Sequence, residues 1–316
     1  MHYLLLLLIS ASTALLLGNP LIQILKAIGI RQTIREDGPP DHIKKKSKVP
    51  TIGGLIFLIP VFFLTIVLYL LKKDFQTRDI AIVLAITFTM ATLGFIDDYL
   101  KILKKHNKGI SGWTKLFVQF LASLIISHIY NEHAGLLYLL LNFFIIAGAT
   151  NSYNLTDGLD GLLSSISLAS FLGFLVLFNF HNKIELSYFA AIFLGALLGF
   201  LYFNKHPAKV FMGDTGSLAI GGAIGALAIV SKSELYLACF ATIPIIEALS
   251  VILQVISYQF SKRFLQKDKR IFKMAPIHHH FELCGWKEPV IVRRFFISQV
   301  VCVLIGIGIL LASLQR

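Results

Sequence analysis

The chain has 316 residues, 56% of them hydrophobic and only 15% charged, against about 45–50% and about 25% in a soluble globular domain. The apolar excess falls in blocks of roughly 17–25 residues, the length that crosses a bilayer core, which excludes a soluble enzyme and predicts an all-α polytopic membrane protein. The formal net charge of +12 reads as a cytoplasmic-loop bias and not as a nucleic-acid footprint, and Cys239, Cys284 and Cys302 have neither metal-ligand nor disulfide spacing.

The first 25 residues, MHYLLLLLISASTALLLGNPLIQIL, carry no Lys or Arg ahead of the apolar core. A cleaved signal peptide needs a basic start, so this stretch is expected to be the first of the spans. Further spans are expected near 52–71, 79–96, 113–130, 135–150, 162–180, 186–203, 218–231, 236–258 and 294–313. That makes about ten, in one integral membrane domain over 1–316. Gly53, Gly54, Gly221, Gly222 and Gly225 lie inside apolar segments, where small residues let helices approach. Pro60 and Pro244 are expected to kink their helices. Loops 26–50, 97–115, 204–217 and 261–294 hold seven, five, two and nine Lys or Arg, and the rest of the chain holds six of the 29. The positive-inside rule then places these loops in the cytoplasm and both termini outside.

Four polar islands interrupt the apolar chain: GFIDDYLK at 94–101, NSYNLTDGLDGL at 151–162, VFMGDTGS at 210–217 and MAPIHHHFELCGW at 274–286. All four fall on the face assigned to the cytoplasm, and one active site is expected there. Asp97 and Asp98 end the third expected span, and carboxylates at a membrane boundary are costly enough to suggest a task. They suit metal binding or a general base for a phosphate-bearing substrate, and the bland alternative is a solvated helix end. Asn151, Asn154, Asp157 and Asp160 recur every three residues and share a face if helical. Amides and carboxylates together suit a sugar nucleotide and hydrated Mg²⁺, whereas the bland alternative is a capped turn. Asp214, beside Gly213, sits just before a helix start capped by Thr215 or Ser217, a place that favours phosphate. Phe211 either stacks on a base or anchors at the interface. His278, His279 and His280 point in different directions on a helix and make a poor zinc site, so they either donate to phosphate or carboxylate or form a polar loop. Lys44, Lys45, Lys46 and Lys48 form a positive-inside patch that can also meet an anionic head group. Glu247 and Gln254, seven apart in one span, need partners at that depth.

Taken together, the KxxxPTxGG-like stretch at 46–54 and the four islands, in this order, resemble the polyprenyl-phosphate N-acetylhexosamine-1-phosphate transferases. The uninterrupted HHHFE after MAPI resembles that family's muramoyl-pentapeptide branch. Lys48 and Val49 stand where the family usually has Gly and Thr. The resemblance implies transfer of phospho-MurNAc-pentapeptide from UDP-MurNAc-pentapeptide to undecaprenyl phosphate in a bacterial plasma membrane, with release of UMP. It also implies Mg²⁺ dependence, ten spans and a homodimer. By the same resemblance Asp97, Asp98 and Asp214 are catalytic carboxylates, and Asp214 and Asn154 are the Mg²⁺ ligands. Lys46, His278 and His279 join the catalytic groups. Asn151, Asn154, Asp157 and Asp160 line the nucleotide-sugar site, Phe211 and Gln254 contact uracil, and Thr51, Gly213 and His280 lie around the phosphates and sugar. The rival readings are the same chemistry on UDP-N-acetylglucosamine and a cation-coupled transporter. Transporters commonly show repeated halves, and no internal repeat is visible.

Overall fold

The computed structural model describes residues 2–30, 49–72, 75, 77–104, 109–130, 135–266 and 270–314. No strand occurs among them, as expected where backbone groups in lipid must bond within their own segment. The long helices are α1 (His2–Ala27), α2 (Leu55–Leu71), α3 (Arg78–Lys104), α4 (Gly112–Tyr130), α5 (Leu136–Thr156), α6 (Leu162–Phe180), α7 (Ile184–Asn204) and α8 (Gly213–Ser231). After a single 3₁₀ turn come the short α9 (Leu237–Phe240), α10 (Thr242–Phe260), the short α11 (Ile277–Leu283) and α12 (Glu288–Leu314). Nine of the described helices are long and apolar enough to cross a membrane, and the 17-residue α2 is a shorter apolar helix. Nine of the ten expected spans therefore correspond to one helix each, and the span 236–258 corresponds to two.

Helices α7 and α8 form the centre. In its most apolar stretch α8 is 89% buried, whereas the outer helices α1 and α12 are only 22% buried and leave their leucines and isoleucines facing outward. Small residues explain how α8 can be central. A methyl group at Gly221 would meet the α5 backbone at Ala149 and Thr150, and one at Gly222 would meet Met90 of α3. Packing of this closeness holds membrane helices together where no hydrophobic effect acts between them.

Several boundaries differ from the hydropathy reading. Helix α3 runs on to Lys104, so Asp97 and Asp98 lie inside it, and α5 continues to Thr156, so Asn151 and Asn154 are helical. Apolarity stops at the lipid boundary, but the i to i+4 hydrogen-bond ladder has no reason to. The expected span 236–258 is broken at Ala241 between α9 and α10. Gln299 of α12 fills the break: Nε2 donates to the carbonyls of Cys239 (3.2 Å) and Phe240 (2.8 Å), and Oε1 accepts the Ile243 N–H at 2.9 Å. Pro244 falls in the first turn of α10, where its missing N–H costs nothing.

Candidate active site

Three carboxylates meet where α3 approaches the start of α8. One ligand atom from each of Asp97, Asp98 and Asp214 lies within 4.8 Å of the others. Neighbours on a helix are turned about 100° apart, and the pair on α3 uses that turn to serve different partners. Asp98 faces the first turn of α8. Its Oδ1 accepts the Asp214 N–H at 3.1 Å, and its Oδ2 accepts the Thr215 N–H at 2.9 Å and the Thr215 hydroxyl at 2.7 Å. These are N–H groups that a helix start leaves without internal partners.

Asp97 faces two lysines. Its Oδ2 lies 2.6 Å from Lys101 Nζ, its Oδ1 lies 3.2 Å from Lys115 Nζ, and Oδ1 also accepts the Ile110 N–H at 2.7 Å. The same ammonium groups reach Asp214 Oδ2, at 3.1 Å from Lys101 and 2.8 Å from Lys115. Asn154 donates from Nδ2 to Asp214 Oδ1 at 2.9 Å and to Ser217 Oγ at 2.8 Å. It therefore orients the carboxylate with its nitrogen. The Asp97 side chain is 1% exposed and that of Asp214 16%, so the cluster opens at Asp214 and the lysines. The donor set is hard oxygen throughout, which fits Mg²⁺ far better than a thiophilic ion. Asp214 faces the opening, Asp97 lies behind it against the lysines, and Asp98 spends its oxygens on α8.

The segment before α2 closes one side. Phe211 N–H donates to the Pro50 carbonyl (2.8 Å), Gly53 N–H to Phe211 (2.9 Å) and Gly54 N–H to Met212 (2.9 Å), a strand-like pairing of the first motif with the FMGD island. Ile52 is held at φ +66°, a conformation that costs a β-branched residue on the order of 1–2 kcal/mol and that the surrounding bonds impose. Gly213 sits at φ +74°, and a Cβ there would lie 2.6 Å from Asp98 Oδ2 and 2.8 Å from Thr51 Oγ1. Thr51, Asp98 and Gly213 are thus packed together, and Phe211 contributes its backbone to the same junction. Lys46, like Lys44, Lys45 and Lys48, lies outside the described residues.

The 151–162 island bridges the rest. Asn151 donates to Gln119 Oε1 of α4 at 3.1 Å. The Asp157 N–H bonds back to Asn154 at the end of α5. Asp160 turns away from the Asp97 cluster: its Oδ2 accepts the Ala208 N–H at 3.0 Å and lies 3.2 Å from His206 Nδ1, and its own N–H donates to Glu288 Oε1 at 2.5 Å. Between these, Gly158 lies against His278. The four islands therefore connect through contacts, with 151–162 as the link.

The histidines diverge. His278 is buried against Glu247, its Nδ1 3.1 Å from Oε1. His279 Nδ1 lies 2.6 Å from Glu282, and His280 Nδ1 accepts the Lys273 N–H at 3.1 Å. Gln254 binds backbone: Oε1 accepts the N–H groups of Ile271 and Phe272, and Nε2 donates to the Phe272 carbonyl at 2.8 Å. The α10 polar stripe thus holds the returning 270–280 segment. Sequence reasoning did not single out Lys101, Lys115, Gln119, His206 or Glu288. Only Lys101 had a local signal, its i+4 spacing from Asp97.

Residues 80–232 match the Glycosyl transferase family 4 profile. Among curated proteins, the phospho-N-acetylmuramoyl-pentapeptide-transferase of Shouchella clausii is 38% identical, with 96% of each chain covered. That of Bacillus subtilis is 39% identical over 94% of each chain, and that of Caldanaerobacter subterraneus is 39% identical over 95% of this chain and 96% of its own. With the Asp97, Asp98, Asp214 and Lys115 cluster inside the matched region, the chain belongs to the phospho-N-acetylmuramoyl-pentapeptide-transferase family.

Proposed function

We propose that this multi-pass bacterial membrane protein, a single domain, transfers phospho-MurNAc-pentapeptide from UDP-MurNAc-pentapeptide to undecaprenyl phosphate. A lipid phosphate oxygen bonds to the β-phosphorus of the donor, the bond between the two donor phosphates breaks, and UMP leaves with that electron pair. The observation that carries this reading is the near-full-length similarity to enzymes of that name, with the carboxylate and lysine cluster inside it.

Both reactants are anionic, so charge must be offset. Lys101 and Lys115 lie between Asp97 and Asp214 and are placed to turn an Nζ toward a donor phosphate. Asp214, oriented by Asn154, is the residue that would hold Mg²⁺. The ion would supply charge neutralisation on the diphosphate and the departing UMP. Asp97 serves as the positioning or deprotonating carboxylate for the lipid phosphate. With its oxygens engaged by two lysines and the Ile110 N–H, it is poorly disposed to attack phosphorus itself. Asn151, Asn154, Asp157 and Asp160 line the nucleotide-sugar side, and the enzyme works as a homodimer.

The test is UMP release by the purified protein in detergent with both substrates and Mg²⁺. Turnover requiring all three, and lowered about 100–1,000-fold in Asp214→Asn, is the expected result. Turnover with UDP-N-acetylglucosamine but not with UDP-MurNAc-pentapeptide would overturn the donor assignment. A covalent phospho-enzyme, trapped with labelled donor, would overturn direct attack.

A further inference from the structure

Glu247 and His278 are an anomaly of burial. Glu247, in the second turn of α10, is 0% exposed, and the His278 side chain on α11 is 1% exposed. Nδ1 of the imidazole lies 3.1 Å from Glu247 Oε1, and no hydrogen bond joins the two atoms. Glu247 Oε2 and His278 Nε2 have no hydrogen-bond partner among the described residues. Polar groups sealed in this way cost free energy, and apolar side chains of the same volume would serve the fold as well or better. Stability therefore does not account for the pair.

Where the imidazole points does. Nε2 abuts Gly158 so closely that a single methyl group there would overlap it. Gly158 is flanked by Asp157 and lies two residues before Asp160. Beyond it the loop is tied at Asp160 to Glu288, His206 and Ala208. On its other side, Asn154 is tied to Asp214. From the side of α10 and α11, Leu159 packs in an apolar cluster with Ile243, Ile277 and Phe281, and His278 meets the loop at Gly158 with a polar edge.

We propose that Glu247 and His278 form a positioning pair. Glu247 sets the turn of the imidazole, and the Nε2 edge of His278 sets the height of the 157–160 loop. His278 then acts through the donor-binding side chains without touching substrate. The inference rests on reading that loop as part of the nucleotide-sugar site.

The experiment compares Glu247→Gln, Glu247→Leu, His278→Ala, Gly158→Ala and the double variant Gly158→Ala/His278→Ala in the full-length protein in detergent. Gly158→Ala is expected to raise the donor KM by up to about 100-fold, the scale of an ångström misplacement, and to leave the acceptor KM unchanged. Adding His278→Ala removes the overlap, so the double variant is expected to work better than Gly158→Ala alone. Glu247→Gln keeps an oxygen beside Nδ1 and is expected to retain most of the donor affinity that Glu247→Leu loses. If His278 touched substrate, its removal would be as damaging beside Gly158→Ala as in the wild type, and that result overturns the proposal.

Wild-type turnover checks the donor reading itself. The pair is also read without turnover, by hydrogen exchange. Glu247→Leu is expected to speed exchange in 155–162 and to leave 94–101 unchanged. Acceleration in both stretches, or in neither, would count against positioning even if the enzyme proved inactive on every donor.

Discussion

Asp97 and Asp98 are consecutive carboxylates with separate duties, because the helix turns them onto different neighbours. Asp98 serves the start of α8 through three hydrogen bonds. Asp98→Ala should lower stability by about 1–3 kcal/mol, the penalty for buried donors left unsatisfied. Asp98→Asn, which keeps one acceptor, should recover part of it. Thermal unfolding in detergent checks both. Lys115 belongs instead to the charge pattern of the opening. Lys115→Met should lower UMP release by about 100-fold with little change in unfolding temperature, since the lysine is paired near the surface of the site and not packed in the core. An unfolding shift as large as that of Asp98→Ala would place Lys115 among the structural groups.

Helix pairs set the distances that those residues use. Gly94 of α3 lies against the backbone of Asp214, and a methyl group there would overlap the Asp214 carbonyl. Gly94→Ala should therefore push α8 from α3, at about 1–3 kcal/mol of stability, and should lower turnover with the Asp214 carboxylate itself intact. Activity and unfolding measured on the same preparation would show both losses together. The break between α9 and α10 depends likewise on a neighbour. Without Gln299, the Ile243 N–H and the carbonyls of Cys239 and Phe240 lose their partner. Gln299→Leu should cost about 2 kcal/mol or more, read as a lower unfolding temperature. A change under a tenth of that would mean that the backbone there finds other partners.

Across the whole molecule, the charge bias of the loops sets orientation. Cys284 is exposed and lies in the histidine island, which the Lys and Arg distribution assigns to the cytoplasm. In a Cys239→Ser/Cys302→Ser background, a membrane-impermeant maleimide should label Cys284 in inverted vesicles and not in intact cells. Labelling of intact cells would reverse the topology and place both termini inside.

The order of the long apolar helices, the membrane setting and the polar islands that meet at the carboxylate cluster were legible in the amino-acid sequence, because hydropathy blocks and the spacing of polar residues are local signals. Asp97 with Lys101 was legible too, four residues apart on one helix. Lys115 against Asp97, Glu288 against Asp160, Gln119 against Asn151 and Glu247 against His278 were not. Each pair joins different helices or a loop to a helix, and nothing in the neighbouring residues records which helices will touch. Packing decided that, through small residues such as Gly94 and Gly221 that let α3 and α5 close on α8. Packing also decided that three adjacent histidines should part company, with His278 turned inward beneath Gly158. Sequence determined which groups could do chemistry; the tertiary structure decided which of them meet, because side-chain partners are chosen by the distance between helices and not by separation along the chain.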